Sequence, residues 1–206
     1  MSARDAVALA MTGASGAAYG LRLLECLLEA GERVFLMLSQ PAQVVIGMET
    51  DLSLPGRTKE MERFFLARFG AAEGQLRVFG RDQWTAPVAS GSAAPRAMVV
   101  CPCTTGTLAA IAAGTSDNLI HRAADVVLKE RRTLVLVPRE TPLSTIHLRN
   151  MLRLAEAGAV ILPPNPGFYH EPRSVEDLVD FVVARILDHI GVAHGLLSPW
   201  GEPDPA

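Results

Sequence analysis

Val7-Ala8-Leu9-Ala10-Met11-Thr12-Gly13-Ala14-Ser15-Gly16-Ala17-Ala18-Tyr19-Gly20 decides how this chain folds. A short apolar run, too brief for a helix, empties into a turn of glycine and small residues, and a helical pattern follows over 15–30. The same alternation recurs along the chain. Apolar runs at 34–38, 76–79, 97–101, 134–137 and 159–162 predict further strands, and the segments 41–50, 58–69, 104–113, 118–130, 144–157 and 174–190 predict helices. Ser174-Val175-Glu176-Asp177 reads as a capping box opening the last helix. Strand and helix in strict alternation predict an α/β fold, a three-layer Rossmann-like (flavodoxin-like) parallel sheet with helices on both faces.

Length and composition narrow the class. A chain of 206 residues fits one domain, expected over 1–206. Apolar residues make up 49% and charged ones 20%, and the mean hydropathy is +0.23. That balance is far from disorder and predicts apolar surface covered by further copies of the chain, a homo-oligomer. A net charge of -3, with Arg and Lys scattered, gives no basic stripe for nucleic acid. The odd set Cys26, Cys101 and Cys103 makes neither a disulfide framework nor a zinc site, so no metal is expected. The opening segment is too short to span a membrane and lacks a signal-peptide cleavage pattern. The expectation is a cytoplasmic protein without a membrane partner.

Two strand-to-helix turns carry the chemistry. Gly13, Ala14, Ser15 and Gly16 follow the first strand. Their spacing is not Gly-x-Gly-x-x-Gly, so the turn reads equally as a nucleotide cradle or as a tight structural turn. Ser39, just before Pro41 after the second strand, reads as a helix cap or a nucleotide contact. Thr104, Thr105, Gly106 and Thr107 follow the fourth strand, where hydroxyls and free N–H groups at a helix start suit an anion. Arg139 and Glu140 stand side by side after the fifth, at the carboxyl edge where doubly wound sheets bind ligands. Arg185 falls on the margin of the apolar face of the last helix, where it either meets an anion or reaches solvent. Lys129 shares a polar face with Asp125 and on that ground is a solvated ion pair. Trp84 and Trp200 occupy loop-like segments and wall an apolar pocket or seal an interface.

Taken in order, Met11 to Gly16, Pro87-Val88-Ala89-Ser90-Gly91-Ser92, Cys101-Pro102-Cys103-Thr104-Thr105-Gly106-Thr107, Lys129-Glu130-Arg131-Arg132, Pro138-Arg139-Glu140 and Gly167-Phe168-Tyr169-His170 resemble the UbiX family of flavin prenyltransferases. The resemblance spans 7–200, with Thr104 standing where serine is expected. It implies that Gly13, Ala14, Ser15, Ser39, Thr104, Thr105, Gly106, Thr107 and Arg139 hold FMN, with Ser15 and Glu49 near the flavin ring. It implies too that Ser90, Lys129, Glu140, Tyr169 and Arg185 surround the phosphate of dimethylallyl phosphate, partly across a subunit boundary. The implied reaction joins the allyl group to N5 and then C6 of reduced FMN, a substrate here, without metal. The prenylated flavin would serve UbiD-type decarboxylases, as in ubiquinone biosynthesis, and the implied assembly is a dodecamer.

The chemistry is coherent with that resemblance. Lys129, Arg139 and Arg185 would stabilise charge on the departing phosphate, and Glu140 would relay a proton. Trp84, Tyr169 and Trp200 would shield an allylic cation from water. The rival is an FMN-dependent decarboxylase of the phosphopantothenoylcysteine decarboxylase type. Its Pro-Ala-Ser-Ala-Asn-Thr and Pro-x-Met-Asn segments are replaced here by Pro87 to Ser92 and by Pro138-Arg139-Glu140-Thr141.

Overall fold

The strand Val7–Met11 (β1) is buried at every position, so it must be covered on both faces, and it lies near the centre of a six-stranded parallel sheet. A computed structural model of the chain describes residues 3–198. Along it follow α1 (Ala17–Glu29), β2 (Val34–Leu38), α2 (Gln40–Glu49), α3 (Thr58–Arg68), β3 (Leu76–Phe79), β4 (Ala97–Cys103), α4 (Thr105–Ala113), α5 (Leu119–Lys129), β5 (Thr133–Pro138), α6 (Thr145–Glu156), β6 (Val160–Ile161) and α7 (Val175–Ile190). The strand order is β3-β2-β1-β4-β5-β6, the doubly wound arrangement whose order reverses between β1 and β4. Doubly wound sheets carry their ligand crevice at that reversal, at the carboxyl ends of the strands.

Alternation within the strands builds two cores. Val7, Leu9 and Met11 join Val99 and Cys101 on the face covered by α1 and α7, whereas Ala8, Ala10, Met98 and Val100 pack toward α4 and α5. The floor of the crevice is fixed by one buried hydroxyl. Thr12 Oγ1 donates to the Pro102 carbonyl at 2.9 Å and accepts the Thr104 N–H at 2.8 Å, tying the end of β1 to the end of β4. No helix among the described residues is long and apolar enough to cross a membrane.

The expected elements form, with shifts at the ends. β4 runs two residues beyond 101, past Pro102, where its pairing with β5 becomes irregular between Val100 and Cys103. β6 is only Val160–Ile161, a half-buried edge strand stopped by the prolines that follow. The box at Ser174 forms as expected: its hydroxyl accepts from Asp177 N–H, and the Asp177 carboxylate accepts from Ser174 N–H at 3.0 Å.

Candidate active site

Gly13 begins the crevice because nothing larger fits. A Cβ there would overlap the Cβ of Pro41 and press within 3.3 Å of its backbone, so the β1–α1 turn lies against the first turn of α2. Ser39 caps that turn: its hydroxyl accepts from Ala42 N–H at 3.1 Å, and its own N–H donates to the Met11 carbonyl.

The two helix starts facing the crevice differ. At α1 the amides of Gly16 and Ala17 donate to Glu49, at 2.9 and 2.8 Å, so a carboxylate from the end of α2 closes this terminus. At α4 the Thr104 hydroxyl accepts from Thr107 N–H at 3.1 Å, and no acceptor for the Thr105 and Gly106 amides lies among the described residues. Of the two anion seats read from the sequence, the one at α4 is open.

Arg139 joins the two strand ends. Its N–H donates to the Cys103 carbonyl at 3.3 Å and its Nε to the Ser15 carbonyl at 3.2 Å, while its charge also bears on Glu49. Burial pushes the Glu49 carboxyl up, but the Ser15 hydroxyl, the two helix amides and Arg139 outweigh it and hold the group below the usual carboxylate range. A depressed folded-state pKa stabilises above the ordinary value and loses that contribution as pH falls. The stability gap between wild type and Glu49→Gln should therefore be steady above pH about 4.3 and close at lower pH. Denaturant unfolding across that range checks this, and a gap unchanged into acid would remove Glu49 from the cap.

Glu140 follows on the exposed end of β5, with Thr141 N–H donating to its Oε1 at 3.1 Å. Trp84 is 47% exposed in the loop leaving β3. Trp200 lies outside the described residues.

The remaining candidates stand elsewhere in one copy of the chain. Lys129 precedes β5, and in a parallel sheet that places it at the amino edge, about 20 Å from Arg139 by the rise of a six-residue strand. Ser90 lies with it, between short 3₁₀ turns at Pro87–Ala89 and Gly91–Ala93. The expected Lys129–Asp125 pair does not form. Arg122, three residues earlier on the same face of α5, takes Asp125 at 2.7 Å, and Lys129 turns to Glu130. Arg122 was missed by the sequence reading; its Nε also donates to the Ala89 carbonyl at 3.1 Å, beside Ser90. Arg185 reaches solvent at the side of α7 and pairs with Asp188 at 2.6 Å. One turn before it, Phe181 meets the Tyr169 ring edge-on at 5.8 Å. The candidates thus form three groups: the carboxyl-edge crevice, the Ser90–Lys129 corner and the flank of α7.

The crevice suits a phosphorylated heterocycle. Open amides, threonine hydroxyls and one arginine match a phosphate, and the Ser15–Glu49 pair offers a donor and acceptor to ring nitrogens and oxygens. Cys101 and Cys103 are fully buried beneath it. Burial raises both thiols, that of Cys103 to about 12, so neither is a ready thiolate. Among the described residues no group of three or more His, Cys, Asp or Glu could hold a metal ion.

The model of the Flavoprotein family matches residues 1–187. The flavin prenyltransferase UbiX of Pseudomonas aeruginosa is 60% identical over 202 residues, 98% of this chain and 97% of its own. The crystal structure of AnUbiX (PadA1) in complex with FMN and dimethylallyl pyrophosphate agrees at TM-score 0.85 and 44% identity, covering 97% of this chain and 98% of that one. The dodecameric FMN-dependent UbiX-like decarboxylase from Escherichia coli O157:H7 agrees at TM-score 0.81 and 44% identity, covering 91% and 96%.

Proposed function

Since the chain belongs to the Flavoprotein family and within it to the UbiX flavin prenyltransferases, we propose that it transfers a dimethylallyl group from dimethylallyl phosphate to N5 and C6 of reduced FMN. The observation that carries this reading is the crevice itself: Arg139, Ser15 and Glu49 are locked together beside an open helix start, in a chain 60% identical to a flavin prenyltransferase.

Gly13, Ala14, Ser15, Ser39, Thr104, Thr105, Gly106, Thr107 and Arg139 hold FMN in this proposal. The open Thr105 and Gly106 amides take the phosphate, and the Ser15–Glu49 pair faces the ring. Reduced FMN, when bound, supplies the nucleophilic N5 and C6. Glu140 accepts and returns a proton at the carboxyl edge. Arg139 and Arg185 stabilise charge on the leaving phosphate, with Tyr169 beside it. Trp84 and Trp200 keep water from the allyl group. Ser90 and Lys129 cannot reach Arg139 within one copy, and Arg185 with Tyr169 stands apart on the flank of α7, so neighbouring copies bring the three groups to one phosphate. That requirement agrees with a homo-oligomer, a dodecamer like the Escherichia coli relative. The prenylated flavin then passes to a UbiD-type decarboxylase in the cytoplasm.

Anaerobic incubation with reduced FMN and dimethylallyl phosphate, followed by mass spectrometry of the released flavin, tests the reading. A flavin heavier by one dimethylallyl unit is the expected result. Unchanged FMN, with decarboxylation of a cysteine-containing peptide-like acid, would instead establish the decarboxylase activity. Repeating the incubation with dimethylallyl pyrophosphate, the ligand of the solved relative, decides between mono- and diphosphate donors.

A further inference from the structure

Lys129 closes α5, and Glu130, at the C-cap, binds its ammonium at 2.5 Å. Local rules do not explain that contact. Consecutive helical residues diverge by about 100°, and a carboxylate at a helix C-terminus faces the negative end of the dipole. Glu130 is still in helical register, its N–H donating to the Val126 carbonyl, so the two long side chains bend toward each other; the chain turns away only at Arg131, with φ +52°. That left-handed position favours glycine, and an arginine in it costs about 1 kcal/mol.

The pair is seated over Gly91. A Cβ at Gly91 would overlap Glu130 Oε1 and come within 2.7 Å of Lys129 Nζ. Ser90 adjoins it, its hydroxyl 3.0 Å from that of Ser92, and Arg4 Nε donates to the Ser92 carbonyl at 3.0 Å. Lys129, by its hydrogen bond and charge, holds the Glu130 carboxyl below the usual range, helped by Arg132 and Arg4. Glu130 thus sits as a carboxylate among cations. An ammonium on a four-carbon stem has many rotamers, and among neighbours of its own sign it would swing away. The carboxylate opposes that.

We propose that Glu130 is a positioning residue for the prenyl donor: seated in the gap above Gly91, it holds the Lys129 ammonium beside Ser90, where this corner meets the phosphate carried in a neighbouring copy's crevice. The inference rests on Lys129 and Ser90 serving that phosphate, as proposed above. Gly91 takes part because any side chain there would push both ends of the pair aside. The displaced atoms are flexible tips, so folding tolerates the change while the ammonium moves.

The test titrates dimethylallyl phosphate into the whole chain loaded with oxidised FMN, whose N5 is not nucleophilic and so allows no turnover, and runs steady-state prenylation in parallel. Glu130→Gln and Gly91→Ala are each expected to weaken donor binding about fivefold and raise KM to match, with kcat within about twofold and FMN affinity unchanged. In a Lys129→Met background neither should add to the loss, because the group they position is gone. Unchanged donor binding in both variants, tighter binding, or losses that multiply with that of Lys129→Met overturns the proposal. Wild-type protein that prenylates no flavin overturns the prenyltransferase reading itself and this inference with it, so the two failures are told apart by the control.

Discussion

Gly13→Ala is expected to cost the protein its flavin and about 1–3 kcal/mol of stability at once. The added Cβ would overlap Pro41, whose backbone lies 3.3 Å away at the start of α2. Backbone, unlike a side-chain tip, does not step aside, so either the turn after β1 or the first turn of α2 moves. Ser15 stands on one and Ser39 on the other, and Glu49 must reach back from the end of α2 to Gly16 and Ala17. Displacement by even a few tenths of an ångström loosens three contacts of the crevice together. Flavin titration should show at least about a 100-fold loss of affinity, and urea unfolding the smaller stability change. Wild-type FMN affinity in this variant would mean that the close approach of Gly13 to Pro41 has no part in binding.

Glu140→Gln should do the reverse, leaving FMN bound while turnover collapses. Glutamine keeps the shape of the side chain and an oxygen for Thr141 N–H, but it cannot accept the proton that the reaction must lose. Removal of a positioned general base costs about 10²–10⁴ in rate, well beyond any effect on folding at an exposed position. Arg185→Ala is the companion measurement: FMN stays bound, and the loss falls on the prenyl phosphate. Wild-type turnover in both variants would remove both residues from the reaction.

Much of the scaffold was legible in the sequence, for a reason visible in β1 and β2. A strand buried on both faces must be apolar throughout, and it ends where the first turn residue or charge appears. Capping chemistry is similarly local, so Ser174 and Asp177 announced α7. Pro102 misled, since proline within a run argues against a continuing strand, yet β4 carries it past an irregular pairing into the crevice floor. Lys129 misled in another way. Helical periodicity offered Asp125, but Arg122 already held that carboxylate, and Lys129 bent to its neighbour Glu130 instead.

The site was less legible than the fold. No periodicity links Glu49 to the start of α1, because the contact joins segments 32 and 33 residues apart through the packing of α2. Only resemblance to known flavin enzymes placed Glu49 near the crevice. Arg122 carried no sequence signal beyond its i, i+7 relation to Lys129 on α5, and an arginine on a polar face is ordinary. Resemblance also set Lys129 and Arg139 on one phosphate, and it is the sheet that divides them, Arg139 after β5 and Lys129 before it.

Reduced flavins react with dioxygen and release peroxide, which attacks thiolates far faster than thiols. Cys101 and Cys103 line the floor beneath the crevice, yet burial keeps both protonated and out of reach of solvent. Sulfur at this depth fills space without becoming a target for the oxidant generated above it. At these two positions the sheet therefore offers the oxidant neither a thiolate nor access.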